Sequence, residues 1–200
     1  MEFQIEYRTQ VQLDLEKSLK TFEQNQKSNR RYLKIMQIFQ DPSQPLDREF
    51  QKLFNGFYRV RRGADWQETC YRILEMHRTD PSVTFPQLLN ELTYHTGKVD
   101  FSFATKMLHT IEPNMPIYDS IIATNLALWN NHDGSVNQKM RRAIVIYDQL
   151  QQAYQQLQTM PDMLQCVDEF DRRFPDFSNI TTLKKIDFLI WSNREEIENE

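Results

Sequence analysis

Glycine is scarce, with four residues in a chain of 200. That leaves little room for the many tight turns of a sheet-rich fold or for glycine-rich phosphate loops, and no G-x-G-x-x-G or Walker-type sequence occurs. Cysteine is rarer still. Cys70 and Cys166 stand far apart, and with no Cys-x-x-Cys pair there is no case for a zinc ribbon or an iron–sulfur cluster. The two read as reduced, buried thiols of a cytoplasmic protein rather than as a disulfide. No apolar run reaches the roughly 18 residues of a membrane span. The start, Met1-Glu-Phe-Gln-Ile-Glu-Tyr7, has neither the basic stretch nor the apolar core of a signal peptide. His77, His95, His109 and His132 lack ligand spacing, so neither a metal nor a cofactor is expected.

A positive charge excess is also missing. The net charge is −4, unlike that of a protein that coats nucleic acid. Glu195, Glu196, Glu198 and Glu200 account for all of it, in a tail over 193–200 expected to be frayed. Basic clusters remain at Lys27/Arg30/Arg31/Lys34, Arg59/Arg61/Arg62, Lys139/Arg141/Arg142 and Lys184/Lys185. Their simplest reading is a set of solvated helix faces.

What the chain does have is helical spacing nearly throughout, apart from a short alternation at Phe3–Tyr7. Phe50, Leu53, Phe54 and Phe57 follow at i, i+3, i+4 and i+7. Thr84 and Pro86 open a helix that Gly97 is placed to close in a left-handed turn. A helix holding Phe103, Met107, Leu108 and Ile111 comes next. Pro113 and Pro116 bracket an extended stretch, after which Asp119 or Ser120 caps a helix with Ile122, Leu126 and Trp129. Gly134-Ser135 opens a long helix, Pro161 separates it from the next, and Thr181 or Thr182 begins the last. The expectation is an all-α protein of about nine or ten helices. Residues 1–192 form one domain, or two lobes sharing a core with the segment near 84–112 between them.

The chemistry concentrates between Thr96 and Ile122. Gly97-Lys-Val-Asp-Phe-Ser102 reads as helix end, tight turn and helix start, the outline of a helix-hairpin-helix. Such a turn offers backbone N–H groups and a helix N-terminus to a phosphate. Further on, Met115-Pro-Ile-Tyr-Asp-Ser120 places an aspartate at a helix start.

In these residues the chain resembles the helix-hairpin-helix DNA glycosylases, and within them short bacterial proteins with the fold of 8-oxoguanine DNA glycosylase. The resemblance rests on Phe101-Ser-Phe-Ala-Thr-Lys-Met-Leu-His109 and Pro116-Ile-Tyr-Asp-Ser120. Phe57-Tyr-Arg-Val-Arg-Arg62 and Ile186-Asp-Phe-Leu-Ile-Trp191 add to it. It implies an orthogonal multi-helix bundle and base excision from DNA, an oxidised purine being the first guess. Lys106 matches the family's Schiff-base lysine and Asp119 its aspartate. A carboxylate stabilises an oxocarbenium-like transition state, and a neutral lysine amine attacks the sugar C1′. The base must leave the duplex to be reached.

Arg59, Arg61, Arg62, Gly97, Lys98 and Ser102 are the candidate DNA contacts. Tyr58, His109, Tyr118 and Trp191 are the candidate base-pocket residues, and Phe188 is a further candidate for stacking on a base. Plainer roles stand beside these. Asp119 can be only an N-cap, Lys106 only a surface lysine, and His109 only a boundary filler. Phe57 belongs to the core stripe, and packing is the default for Phe188 and Trp191. The chain has Asp100-Phe-Ser-Phe103 where the family has a Gly-Val-Gly-like turn, and only thirteen positions separate Lys106 from Asp119. The altered hairpin and the acidic balance motivate the alternative, a non-catalytic module that keeps the fold and binds nucleic acid or a partner protein in a defence or mobile-element setting. A third reading is a helical interaction protein using the glutamine-rich face of the long helix.

Overall fold

The computed structural model describes residues 2–5, 9–80, 82–130 and 133–194. His132 and the four tail glutamates lie outside the described residues. A short antiparallel ribbon comes first, β1 (Glu2–Ile5) against β2 (Thr9–Gln12), with Phe3 opposite Val11. It takes in part of the alternation at Phe3–Tyr7. Ten α-helices follow among the described residues.

α1 (Leu15–Gln24) and α2 (Gln26–Gln40) meet end to end at Asn25. α2 stops at Asp41, at the Pro-containing break. There the buried Arg78 donates to the Ile38, Phe39, Asp41 and Gln44 carbonyls. One guanidinium thus satisfies acceptors that a helix end leaves open and places a cation at its negative pole. α3 (Arg48–Tyr58) starts where Asp47 accepts from the Glu49 and Phe50 N–H groups. α4 (Ala64–Met76) carries Cys70, Ile73 and Leu74 into the core. Cys70 and Cys166 are both buried.

α5 (Phe85–Thr96) and α6 (Phe101–Ile111) form the expected hairpin and pack on each other. Gly97 lies between them at φ 68°, as a left-handed helix end requires. α7 is shorter than the pattern suggested, Ser120–Asn125. Ala127 turns to φ 50° and the Leu128 N–H donates to the Ala123 carbonyl, which ends the helix. Trp129 therefore falls beyond it and is exposed rather than on its apolar stripe. α8 (Val136–Leu157) begins with a reciprocal cap between Ser135 and Gln138, as Gly134-Ser135 predicted. α9 (Pro161–Arg173) has its proline at the first helical position, where the missing N–H does no harm. A single 3₁₀ turn follows at Pro175–Phe177.

α10 (Thr182–Ser192) is the central helix, packed against α1, α7 and α9. Residues Leu183 to Ile190 are all buried, so the helix is enclosed on every side. Phe22 of α1 sits in an aromatic nest of Phe170, Phe174, Phe177 and Phe188, with ring centroids 4.7–5.0 Å away. Burying each such ring contributes about 1.5–3 kcal/mol. Enclosure also corrects one expectation. Lys184 and Lys185 are not a solvated pair but buried residues. Lys185 Nζ reaches Asp171 Oδ2 at 2.6 Å and the Ser178 carbonyl at 2.8 Å, which ties α10 to α9 and the turn after it.

Candidate functional site

Lys106 lies in the second turn of α6, and the residue before it fixes the chain that carries Asp119. Thr105 Oγ1 accepts the Tyr118 N–H at 3.0 Å, which pins the extended Pro116–Tyr118 stretch alongside α6. Asp119 then caps α7, its Oδ1 taking the Ile121 and Ile122 N–H groups at 2.9 Å each. Among the described residues no hydrogen bond engages Oδ2. Cap and chemistry are thus compatible in one carboxylate, since each role needs a different oxygen.

Lys106 and Asp119 line one cavity of about 310 Å³. Its walls come from the end of α3, the α1–α2 junction, α6, α7 and α10. Arg59, Tyr58, Ser102 and Trp191, all candidates from the sequence, line it too. So do Phe57 and Phe188, which both pack against the core and face the cavity. Lys106 Nζ stands 4.9 Å from the Phe103 ring centre and makes no ion pair among the described residues. Burial pulls its amine below the ordinary lysine value; Asp119 opposes this, and Lys184 and Arg59 reinforce it. Burial likewise pushes the Asp119 carboxyl up, against the Ile122 N–H that favours its charged form.

Deeper in the same cavity is a pair the sequence did not single out. Lys184 Nζ lies 2.6 Å from Asp187 Oδ2, both side chains almost wholly buried. Tyr154 donates its hydroxyl to Asp187 Oδ1 at 3.1 Å. Lys184 Nζ also sits over the rings of Tyr32, Phe57 and Phe188, 4.5–5.6 Å from their centres. The available signal was Lys-Lys-Ile-Asp inside an otherwise apolar helix, since a charge on a buried face needs a partner or a task.

Other candidates lie elsewhere. His109 is wholly buried and does not line the cavity. Its Nδ1 is 2.6 Å from the Met115 carbonyl, which can only accept, so Nδ1 carries the proton. Nε2 then accepts from the Tyr32 hydroxyl at 3.0 Å. Burial pushes this imidazole down to about 3, so it is neutral and structural. Tyr118 stacks on Phe101 at 4.1 Å and gives its hydroxyl to the Leu128 carbonyl, outside the cavity. Arg62 pairs with Asp100, which also accepts the Trp66 Nε1–H at 2.7 Å. Arg61, Gly97 and Lys98 are exposed and apart from the cavity lining. Arg59 is exposed at the cavity rim, 5.9 Å from the Trp191 ring centre, with no acidic partner among the described residues.

No protein-family model, curated protein or solved structure matches this chain. Among the described residues, no group of three or more His, Cys, Asp or Glu side chains could hold a metal ion. No helix there is long and apolar enough to cross a membrane.

Proposed function

We propose that this chain is a base-excision enzyme of the helix-hairpin-helix glycosylase type, a DNA glycosylase with an associated lyase step. An oxidised purine is the first-choice substrate. One observation carries the reading: Lys106 and Asp119 reach a single cavity from separate elements, one with a desolvated amine and the other with an uncommitted carboxylate oxygen. The cavity lies at the small end of the roughly 300–1,000 Å³ of ligand sites, as suits one extruded base.

In this reading the Lys106 amine bonds to C1′ while the C1′–N bond breaks and its electron pair leaves with the base. Asp119 stabilises the cationic character that builds on the sugar. A proton then passes from the new ammonium to O4′ as the sugar ring opens, which leaves an iminium. Borohydride reduces that iminium to a permanent protein–DNA adduct. Trapping on duplexes carrying 8-oxoguanine, another damaged base or an abasic site is the test. An adduct that vanishes in Lys106→Gln supports the reading. No adduct on any duplex, or one unchanged in that variant, overturns it.

The alternative of a non-catalytic module draws on the Arg62–Asp100 pair, which neutralises a cation beside the hairpin. Such a module binding DNA through its remaining cations would lose affinity steeply with salt and form no adduct.

A further inference from the structure

We infer that Lys184, held by Asp187, is a second catalytic lysine that stabilises negative charge on the departing base while Lys106 attacks the sugar. The inference rests on the excision reading above. A buried ion pair is a poor device for stability alone, because desolvating both charges offsets most of their attraction. Apolar residues would pack α10 as well or better. Yet α10 carries this pair, and it lies on the wall of the cavity that holds Lys106 and Asp119.

Its hydrogen-bonding is incomplete. Lys184 Nζ has three N–H bonds and commits one to Asp187; no other acceptor engages it among the described residues. Its remaining N–H bonds stand among aromatic rings on a side chain that is itself almost wholly buried, where a donor acts more strongly than in solution. Asp187 is the positioning residue, fixed in turn by Tyr154.

The two lysines divide the work. Lys106 and Asp119 are the less buried residues, and in this proposal they face the sugar. Lys184 is almost wholly buried and would face the inserted base. When the C1′–N bond breaks, its electron pair goes to the base. Lys184 donates a hydrogen bond to the resulting anion, and solvent supplies the proton on release. Bases that spread that charge over a lactam are favoured: oxidised purines, hypoxanthine and uracil.

An abasic site has no base to leave, and this separates the two roles. The experiment compares excision of 8-oxoguanine, hypoxanthine and uracil from duplexes with borohydride trapping on an abasic duplex. Lys184→Met leaves Asp187 buried without its cation, so a triple variant with Asp187→Leu and Tyr154→Phe is measured as well, to keep a folded protein. In both, the ratio of excision to abasic trapping falls roughly 100-fold or more, the usual cost of losing one donor aimed at developing charge. Asp187→Asn lowers the same ratio by a smaller factor. A ratio unchanged in the triple variant overturns the inference. So does a wild-type protein that traps abasic DNA but excises none of the three bases. Failure to trap even abasic DNA instead removes the Lys106 reading on which the inference rests.

Discussion

Thr105 accepts the backbone N–H of Tyr118 at 3.0 Å, and each of these residues is the immediate chain neighbour of a candidate catalytic group. Thr105 precedes Lys106 and Tyr118 precedes Asp119. The hydroxyl also donates to the Ser102 carbonyl at 2.9 Å, so one buried side chain ties the start of α6 to the approach of α7. Thr105→Val keeps the shape and leaves the Tyr118 N–H unpaired. A stability loss of about 1–3 kcal/mol is expected in urea, with adduct formation falling further than stability explains. Thr105→Ser restores both. A Val variant with normal trapping would show that this bond does not set the register of the pair.

The two roles of Asp119 separate by substitution. Asparagine is as good an N-cap as aspartate, whereas alanine costs about 1 kcal/mol. Asp119→Asn is therefore expected to keep the melting temperature and lose most excision. Asp119→Ala loses both. Equal excision by wild type and Asp119→Asn would leave the residue with a structural role only.

Lys106 predicts a pH profile. Only the neutral amine attacks, and burial lowers the pH at which it forms. Trapping on an abasic duplex should rise with pH and level off below the range where an ordinary lysine, at about 10.4, titrates. A rate still climbing through that range would mean that the amine is not desolvated in the working complex.

His109 predicts how the fold fails in acid. Folded, it resists protonation until about 3; in the unfolded chain it titrates near its ordinary 6.5. The unfolded state therefore binds the extra proton between these values. The contribution to stability is present above 6.5 and is lost as pH falls toward 3, on the order of a few kcal/mol in all. Urea midpoints at neutral pH and near pH 4.5 should differ less in His109→Gln than in wild type. Identical pH dependence in the two proteins would rule out this histidine as the source.

Arg78 is expected to be among the costliest single positions. Arg78→Met takes the guanidinium from four backbone carbonyls, of which those of Ile38 and Asp41 keep the N–H groups of Asp41 and Gln44, and is predicted to lose about 3 kcal/mol or more. Lysine has three donors and no planar fork, so Arg78→Lys recovers only part of that. A Met variant within about 0.5 kcal/mol of wild type, the ordinary range for surface changes, would mean that water satisfies those carbonyls.

Local signals made most of the helices legible. Spacing of apolar residues, the Ser135–Gln138 cap, Pro161 and the left-handed Gly97 all act within a turn or two of chain, and the structure follows them. Lys106 and Asp119 were readable for a similar reason, since each sits in a short recognisable segment. Trp129 was misplaced because a non-glycine residue, Ala127, makes the reversal, and nothing in its type announces it.

What the tertiary structure alone decided is which charges face the cavity and which are spent elsewhere. Arg62 resembled its neighbour Arg59 until Asp100, 38 positions away, claimed it. His109 shares a helix with Lys106, but Tyr32, 77 positions away, holds it in the core. Lys184 and Lys185 looked like solvated charges until α1, α7 and α9 closed around α10. The physical reason is common to all three. A side chain's charge state and direction depend on its surroundings, and in each case the deciding partner or the burial comes from segments that no local window of sequence contains.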